Sequence, residues 1–414
     1  MKRKTNILFL TAIILSVFSC KQVKEAISPE DVGMSSDTLA VAVTRMQSYI
    51  TEEKLAGIAV RTIKNDIVVQ DGQFGYADIE NEVLIANNTI YRIFSMSKPI
   101  TTVALMTLFE DGKFRLDDKV SEYIPEFAET LVYTPGEEGF TLEPQENEMT
   151  IRNLLTHTSG LTYGWEQGSY VDSIYYASGV VNWDAPIGEK VKQLATLPLK
   201  FQPGTRWEYG LSIDVAGYLV EVLSGMPLDK YLEEEVFDPL KMGDTGFYVP
   251  EEKHSRLAVL YTRGDDGKLV RLRGTAGATE AEADFNDIFK QPVIHFSGGG
   301  GLVSTVDDYA RFSMMLLNGG ELDGNRILEE STVDLIMSDQ LPEGVEYNED
   351  YGFGLGGQVE KDSGSYSWSG AASTNFVINP GYELIVLAFT QFMPSYYSYV
   401  GEYMGIVNRA IIEE

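Results

Sequence analysis

Apolar positions change their period several times along the chain, and each change predicts a different element. Leu39, Val41, Ala42, Met46 and Ile50 recur at helical spacing, so a helix is expected to open the folded part near Thr38. Two strand-like runs follow, Gly57 to Thr62 and Ile67 to Gln70, joined across the polar turn Lys64-Asn65-Asp66 as in a β-hairpin. A second helix is predicted from about Ser95 to Glu110, stopping at Asp111-Gly112, with Ala104, Leu105, Leu108 and Phe109 on its buried face. From about Leu116 to Pro292 the pattern is of helical stretches and irregular loops. One clear helix there runs from about Asp214 to Leu223, with Ser212 or Asp214 as N-cap and Gly225 just past its end. After Ser297 come four glycines, a helix from about Asp307 to Leu317, and strand-like runs at Tyr351 to Gly356, Asn375 to Ile378 and Leu384 to Phe389. A closing helix is expected from about Tyr399 to Ile412.

Helix and hairpin first, a helical insertion, then strands and a last helix predict an α+β fold. Its antiparallel sheet is built and flanked from both chain ends, about 37–115 and 293–414, and the mainly helical part is 116–292. No internal repeat or low-complexity tract interrupts the chain.

The first twenty residues read differently. Lys2, Arg3 and Lys4 precede an apolar run from Ile7 to Phe18 that ends in Ser19-Cys20, the pattern of an export signal too short to span a bilayer. Val17-Phe18-Ser19-Cys20 resembles a bacterial lipoprotein box, with Phe18 bulkier than the usual residue there. Residues 1–20 are therefore expected to be a signal peptide, Cys20 the lipidated residue and 21–36 a spacer. Lys21 after the cysteine points to an exported, outer-membrane protein facing the periplasm or the cell surface. Cys20 is the single cysteine, so the mature chain holds no thiol for a nucleophile, a disulfide or a metal.

Charge narrows the partners. Asp and Glu number 62 against 32 Lys and Arg, a formal charge of −30, which repels nucleic acid. His157, His254 and His295 are scattered without metal-ligand spacing, so neither a metal nor another cofactor is implied. Gly298 to Gly301 lack the Lys-Ser/Thr of a phosphate loop and read as a tight turn before a strand. No Gly-x-Ser-x-Gly elbow is present.

Candidate chemistry begins at residues 94–99, FSMSKP, which hold the one Ser-x-x-Lys of the chain. On a helix starting near Ser95, positions i and i+3 share a face and bring hydroxyl and amine within reach. Pro99 is tolerated in a first turn, and the free amides there favour an oxyanion and disfavour a protonated amine. A lysine so placed can take a serine proton. Residues 203–218, PGTRWEYGLSIDVAGY, place Tyr209 at the end of a Pro-Gly loop before a helix, where its phenol could face Ser95.

These segments resemble the serine hydrolases with the class C β-lactamase fold, a group of D,D-peptidases, D-aminopeptidases and many esterases. The matching stretches are FSMSKPITTVALMTLFEDGK (94–113), LLTHTSGLTYG (154–164), PGTRWEYGLSIDVAGYLVE (203–221), SGGGGLVSTVDDYARF (297–312), YGFGLGG (351–357) and SWSGAASTNFVINP (367–380), in the family's order. The resemblance implies that Ser95 is the acylated nucleophile, Lys98 its helical partner and Tyr209 the base. Trp368-Ser369-Gly370 occupies the third motif, and the amides of Ser95 and Ala371 would form the oxyanion hole.

Two positions depart from the β-lactamases and peptidases. Leu211 stands where Tyr-x-Asn has its amide, and Trp368 where Lys or His is usual. Leu211, Trp368 and Gly370 are the expected substrate-side residues, and the two apolar replacements resemble the esterase branch. The resemblance therefore implies a serine hydrolase of small carboxylic esters. The alternatives are a β-lactamase, D,D-carboxypeptidase or D-aminopeptidase on cell-wall-type amides, and an inactive penicillin-sensing or scaffold protein.

Overall fold

The computed structural model describes residues 28–136, 139–273 and 286–412. The expected signal segment with Cys20, and the spacer up to residue 27, lie outside them. The chain enters through α1 (Ser36–Thr51), whose first turn is capped by Ser35, its hydroxyl accepting from the Thr38 amide. The hairpin β1 (Gly57–Lys64) and β2 (Ile67–Asp78) follows, then the short strands β3 (Val83–Leu84) and β4 (Tyr91–Arg92). The second helix starts two residues later than its pattern predicts. Ser95 sits in a 3₁₀ turn, Phe94–Met96, and α2 runs Ser97–Glu110.

The middle of the chain is a set of short helices: α3 (Ile151–Leu155), α4 (Tyr170–Ser178), α5 (Ile187–Leu194), α6 (Ser212–Ser224), α7 (Leu228–Leu232) and α8 (Asp238–Leu240). Two small hairpins interrupt them, β5 (Val132–Gly136) with β6 (Gly139–Glu143), and β7 (Tyr261–Arg263) with β8 (Leu269–Arg271). Neither Ser212 nor Asp214 is the N-cap of α6. Leu211 takes that position without a side-chain bond, and Asp214 lies in the first turn, occupied elsewhere.

The C-terminal part adds β9 (Val303–Ser304), α9 (Val306–Leu317), the hairpin β10 (Glu321–Leu322) and β11 (Asn325–Arg326), and α10 (Glu330–Met337). Five strands close the sheet: β12 (Tyr351–Phe353), β13 (Gln358–Glu360), β14 (Tyr366–Gly370), β15 (Thr374–Asn379) and β16 (Leu384–Phe389); α11 (Tyr399–Ala410) ends the fold. The strands pair antiparallel in the order β12-β13-β14-β15-β16-β1-β2-β3, so β16 from the C-terminal part joins β1 from the N-terminal part, Ala59 opposite Phe389. β13 and β14 escaped the pattern because polar Gln358, Glu360, Ser367 and Ser369 break up their apolar positions.

The unbroken apolar run of β16 reflects burial on both faces. Leu384, Val386 and Ala388 pack with α1 and α11, whereas Ile385, Leu387 and Phe389 face the main core with α2 and α9. α2 is likewise enclosed. Beyond the expected stripe, Ile100, Val103 and Met106 are also fully buried, while Phe109 is only partly so. A helix wrapped by the core on every side holds its N-terminal residues by packing and needs no cap.

Leu105, fully buried in α2, is expected to cost about 2–5 kcal/mol when cut to alanine. Val41→Ala, on the exposed side of α1, should stay within about 0.5 kcal/mol. Denaturant melts of the two variants against the parent check the difference, and equal midpoints would contradict the enclosure of α2.

Candidate active site

Ser95 projects from its 3₁₀ turn at the junction of the sheet and the helical region. The turn is tied down from several directions. Ile93 N–H donates to Leu302 O at 3.1 Å, Tyr309 O–H donates to Met96 O at 3.0 Å, and Leu302 N–H donates to the Ser97 hydroxyl at 3.1 Å. Strand β14 passes so close that a Cβ on Gly370 would lie 2.2 Å from Ile93 O, so only glycine allows this approach. Ala371 follows directly after that strand.

Lys98, one turn on, is fully buried, and its Nζ donates to Ser95 Oγ at 3.2 Å, to Tyr163 Oη at 3.1 Å and to Gly299 O at 2.7 Å. Tyr209 reaches the same serine from the loop before α6, its O–H donating to Ser95 Oγ at 2.7 Å. The Lys98 amine also stands 4.6 Å from the Tyr209 ring centroid. The three residues singled out in the sequence thus meet at one oxygen, and Trp368 closes one side, its ring 5.5 Å from that of Tyr209. Leu211 is different: at 8% exposure it belongs to the main core.

The structure adds partners that sequence reasoning missed. Tyr163 gives Lys98 its second oxygen, and its position at the end of LLTHTSGLTYG was the available signal. Desolvation, with Tyr209 and Asp214 nearby, holds the Tyr163 phenol well above its usual range, so it stays neutral beside the amine. The glycine run is the other addition. Gly298 lies where a Cβ would meet Ile213 O at 2.7 Å and the Thr101 side chain at 2.9 Å. This close passage lets Gly298 O accept from Thr101 and Gly299 O from Lys98. Asp214 fixes the run from behind, accepting from the Ser297 hydroxyl at 2.5 Å and from Gly299 N–H at 3.2 Å.

The backbone of His157 orders the 156–160 loop, with φ of 55° and its carbonyl accepting from Glu208 N–H at 2.9 Å, one residue before Tyr209. The ring is fully buried against Trp207, Tyr209 and Phe353, with no hydrogen-bond partner among the described residues. Burial first, and the Lys98 charge second, hold the imidazole well below 6.5. Among the described residues, no group of three or more His, Cys, Asp or Glu is placed to hold a metal.

Comparison with known proteins bears on this arrangement. The Beta-lactamase family profile matches residues 42–406, nearly the whole described chain. The chain belongs to the Beta-lactamase family. Protein Rv1367c of Mycobacterium tuberculosis is 32% identical over 366 residues, covering 82% of this chain and 86% of its own. Esterase EstB of Burkholderia gladioli is 30% identical over 387 residues, covering 88% and 93%. Among solved structures, EstCE1, described as a hydrolase with promiscuous acyltransferase activity, superposes with a TM-score of 0.77 at 26% identity, covering 91% of this chain and 99% of that one. This Beta-lactamase family member is accordingly a serine hydrolase with esterase relatives, in an α+β fold.

The buried His157 carries a pH consequence. Its folded pKa lies below 6.5, so as pH falls through about 6.5 the unfolded chain takes up a proton that the folded chain refuses, and stability drops. His157→Phe should therefore lose less melting temperature between about pH 7 and pH 5 than the parent does. An unchanged pH slope would contradict the neutral, buried ring.

Proposed function

We propose that this protein hydrolyses small, uncharged carboxylic esters through an acyl intermediate on Ser95. The observation that carries the reading is the double engagement of Ser95 Oγ, by Tyr209 at 2.7 Å and Lys98 at 3.2 Å. In the first step Ser95 Oγ attacks the ester carbonyl carbon while its proton passes to Tyr209, which acts as a phenolate after giving its own proton to solvent. The carbonyl oxygen becomes an oxyanion between the backbone amides of Ser95 and Ala371. The C–O bond to the alcohol then breaks, and the departing alkoxide takes the proton back from Tyr209. Water enters, gives its proton to Tyr209 and attacks the acyl carbon, and the Ser95 oxygen leaves with that proton.

Neutral esters are favoured over β-lactams and D-Ala peptides by what faces the nucleophile. Trp368 supplies an indole where a cation would hold a substrate carboxylate, and the position two after Tyr209, with Leu211 turned into the core, presents no amide there. A charged substrate would lose hydration without gaining a partner, whereas an ester needs only the oxyanion donors. The esterase relatives EstB, and the lovastatin esterase of Penicillium rubens at 31% identity over 60% of this chain, support the same direction. With the N-terminal segment, the reading places the enzyme on an exported lipoprotein held to a membrane through Cys20.

Ser95→Ala should abolish hydrolysis of p-nitrophenyl butyrate without lowering the melting temperature, and Tyr209→Phe should cut kcat by about 10²-fold or more with little change in KM. Turnover by folded Ser95→Ala near the parent rate would contradict the mechanism. A second comparison tests the substrate. kcat/KM for short acyl esters should exceed that for cephalosporins and D-Ala-D-Ala peptides, and Trp368→Lys should narrow the gap. A β-lactam or peptide processed faster than the best ester would overturn the ester assignment.

A further inference from the structure

Both phenols at the active site hang from segments that share one cation outside it. Lys200 follows the strand-like contact of Leu199 with Val132, and its amide donates to Gly160 O at 2.8 Å. Its side chain is mostly buried, and Nζ meets three carboxylates: Glu166 at 2.6 Å, Glu208 at 2.6 Å and Asp172 at 3.1 Å. Glu208 is the residue before Tyr209. Asp172 is nearly sealed from solvent, and its other oxygen accepts from the Thr162 hydroxyl at 2.7 Å and the Glu166 amide at 3.3 Å. Thr162 in turn precedes Tyr163 and accepts from the Gly164 amide at 3.2 Å. Glu166 follows Trp165, whose ring lies flat on Tyr163 at 4.4 Å between centroids.

We infer that Lys200 is a positioning residue for catalysis, a clamp that sets the Tyr209 and Tyr163 oxygens against Ser95 and Lys98. The proposal rests on the acyl-serine reading. Three carboxylates converging on one point, with Asp172 sealed from solvent, Glu208 partly exposed and Glu166 largely exposed, repel one another unless a cation sits among them. Burial opposes ionisation of Asp172, but hydrogen bonds from Ser169, Thr162 and Lys200 outweigh it and keep the carboxyl ionised below its usual range. Without Lys200, the cheapest relief is for the Glu208 and Glu166 loops to move apart, carrying one phenol away from Ser95 and the other away from Lys98. An exposed ion pair does little for stability, but a shift of about 1 Å in a reacting group can cost on the order of 10²-fold in rate. The signature of a clamp is therefore a loss in kcat, because the groups displaced are those that move the proton and hold the amine.

The test uses the full chain and p-nitrophenyl butyrate, with five variants. Lys200→Met should lower kcat by about 10-fold to 10²-fold with KM changed by less than about twofold. Lys200→Arg should recover part of that loss, since a guanidinium can still bridge the carboxylates. Glu208→Gln, which cuts only the arm to Tyr209 on a partly exposed side chain, should lower kcat in the same sense and decides the matter if Lys200→Met fails to fold. Lys192→Met, which removes an exposed cation paired to Glu126, should leave both constants at parent values. Parent kcat in folded Lys200→Met and Glu208→Gln, or an effect confined to KM, would overturn the clamp. Ser95→Ala run alongside separates the two levels: if it stays active, the acyl-serine reading fails, and if it is dead while the Lys200 and Glu208 variants are normal, only the clamp fails.

Discussion

A fully buried amine with no carboxylate among its partners in the described residues is the constraint around which this molecule is arranged. Lys98 would be costly to enclose unless each of its donors found an oxygen, and it finds three, from a hydroxyl, a phenol and a backbone carbonyl. Each partner comes from a different stretch of chain. Ser95 comes from the turn before α2, Tyr163 from the loop after α3, and Gly299 from the glycine run before β9. Satisfying one side chain thus requires the sheet-bearing chain ends and the helical insertion to close on each other. The enclosure of α2 on all sides is the same requirement seen from the helix: the lysine can keep all three partners only if the helix carrying it cannot roll.

The charge lies behind this layer rather than in it. Asp214 does not touch Lys98. It binds the Ser297 hydroxyl and the Gly299 amide, so its influence reaches the amine through the peptide group whose carbonyl accepts from Lys98. Lys200 does the converse for the phenols, holding carboxylates next to Tyr209 and Tyr163 and away from the reacting atoms. Neutral oxygens thus face the nucleophile while charges are paired one layer out. The proposed ester substrate, neutral until it acquires negative charge during reaction, matches a site of this composition.

Much of this was legible in the residues. The Ser-x-x-Lys spacing, Tyr209 after a Pro-Gly loop, the apolar run of β16 and the turn at Gly298–Gly301 all carry local signals that survive folding. What escaped was set by distant contacts. Ser95 belongs to a 3₁₀ turn because β14 and the Leu302 segment fix the chain there, and no periodicity reports that. Leu211, expected on the substrate side from its place two after Tyr209, is the N-cap of α6 and packs in the main core. Asp214 looked like a cap, yet its carboxylate is used by a loop 83 residues away. Tyr163 was signalled only by its place in LLTHTSGLTYG, and Lys200 gave no signal of its own, because its meaning depends on which carboxylates the fold brings to it.

The central claim is that Ser95 Oγ is the atom that becomes acylated. Labelling the intact protein with a fluorophosphonate, followed by peptide mapping by mass spectrometry, tests it most directly. The account predicts a single phosphonyl adduct on the peptide containing Ser95, formed with loss of fluoride and lost on prior saturation with a hydrolysable ester. An adduct on another residue, or an unlabelled Ser95 in a preparation that still hydrolyses ester, would contradict it.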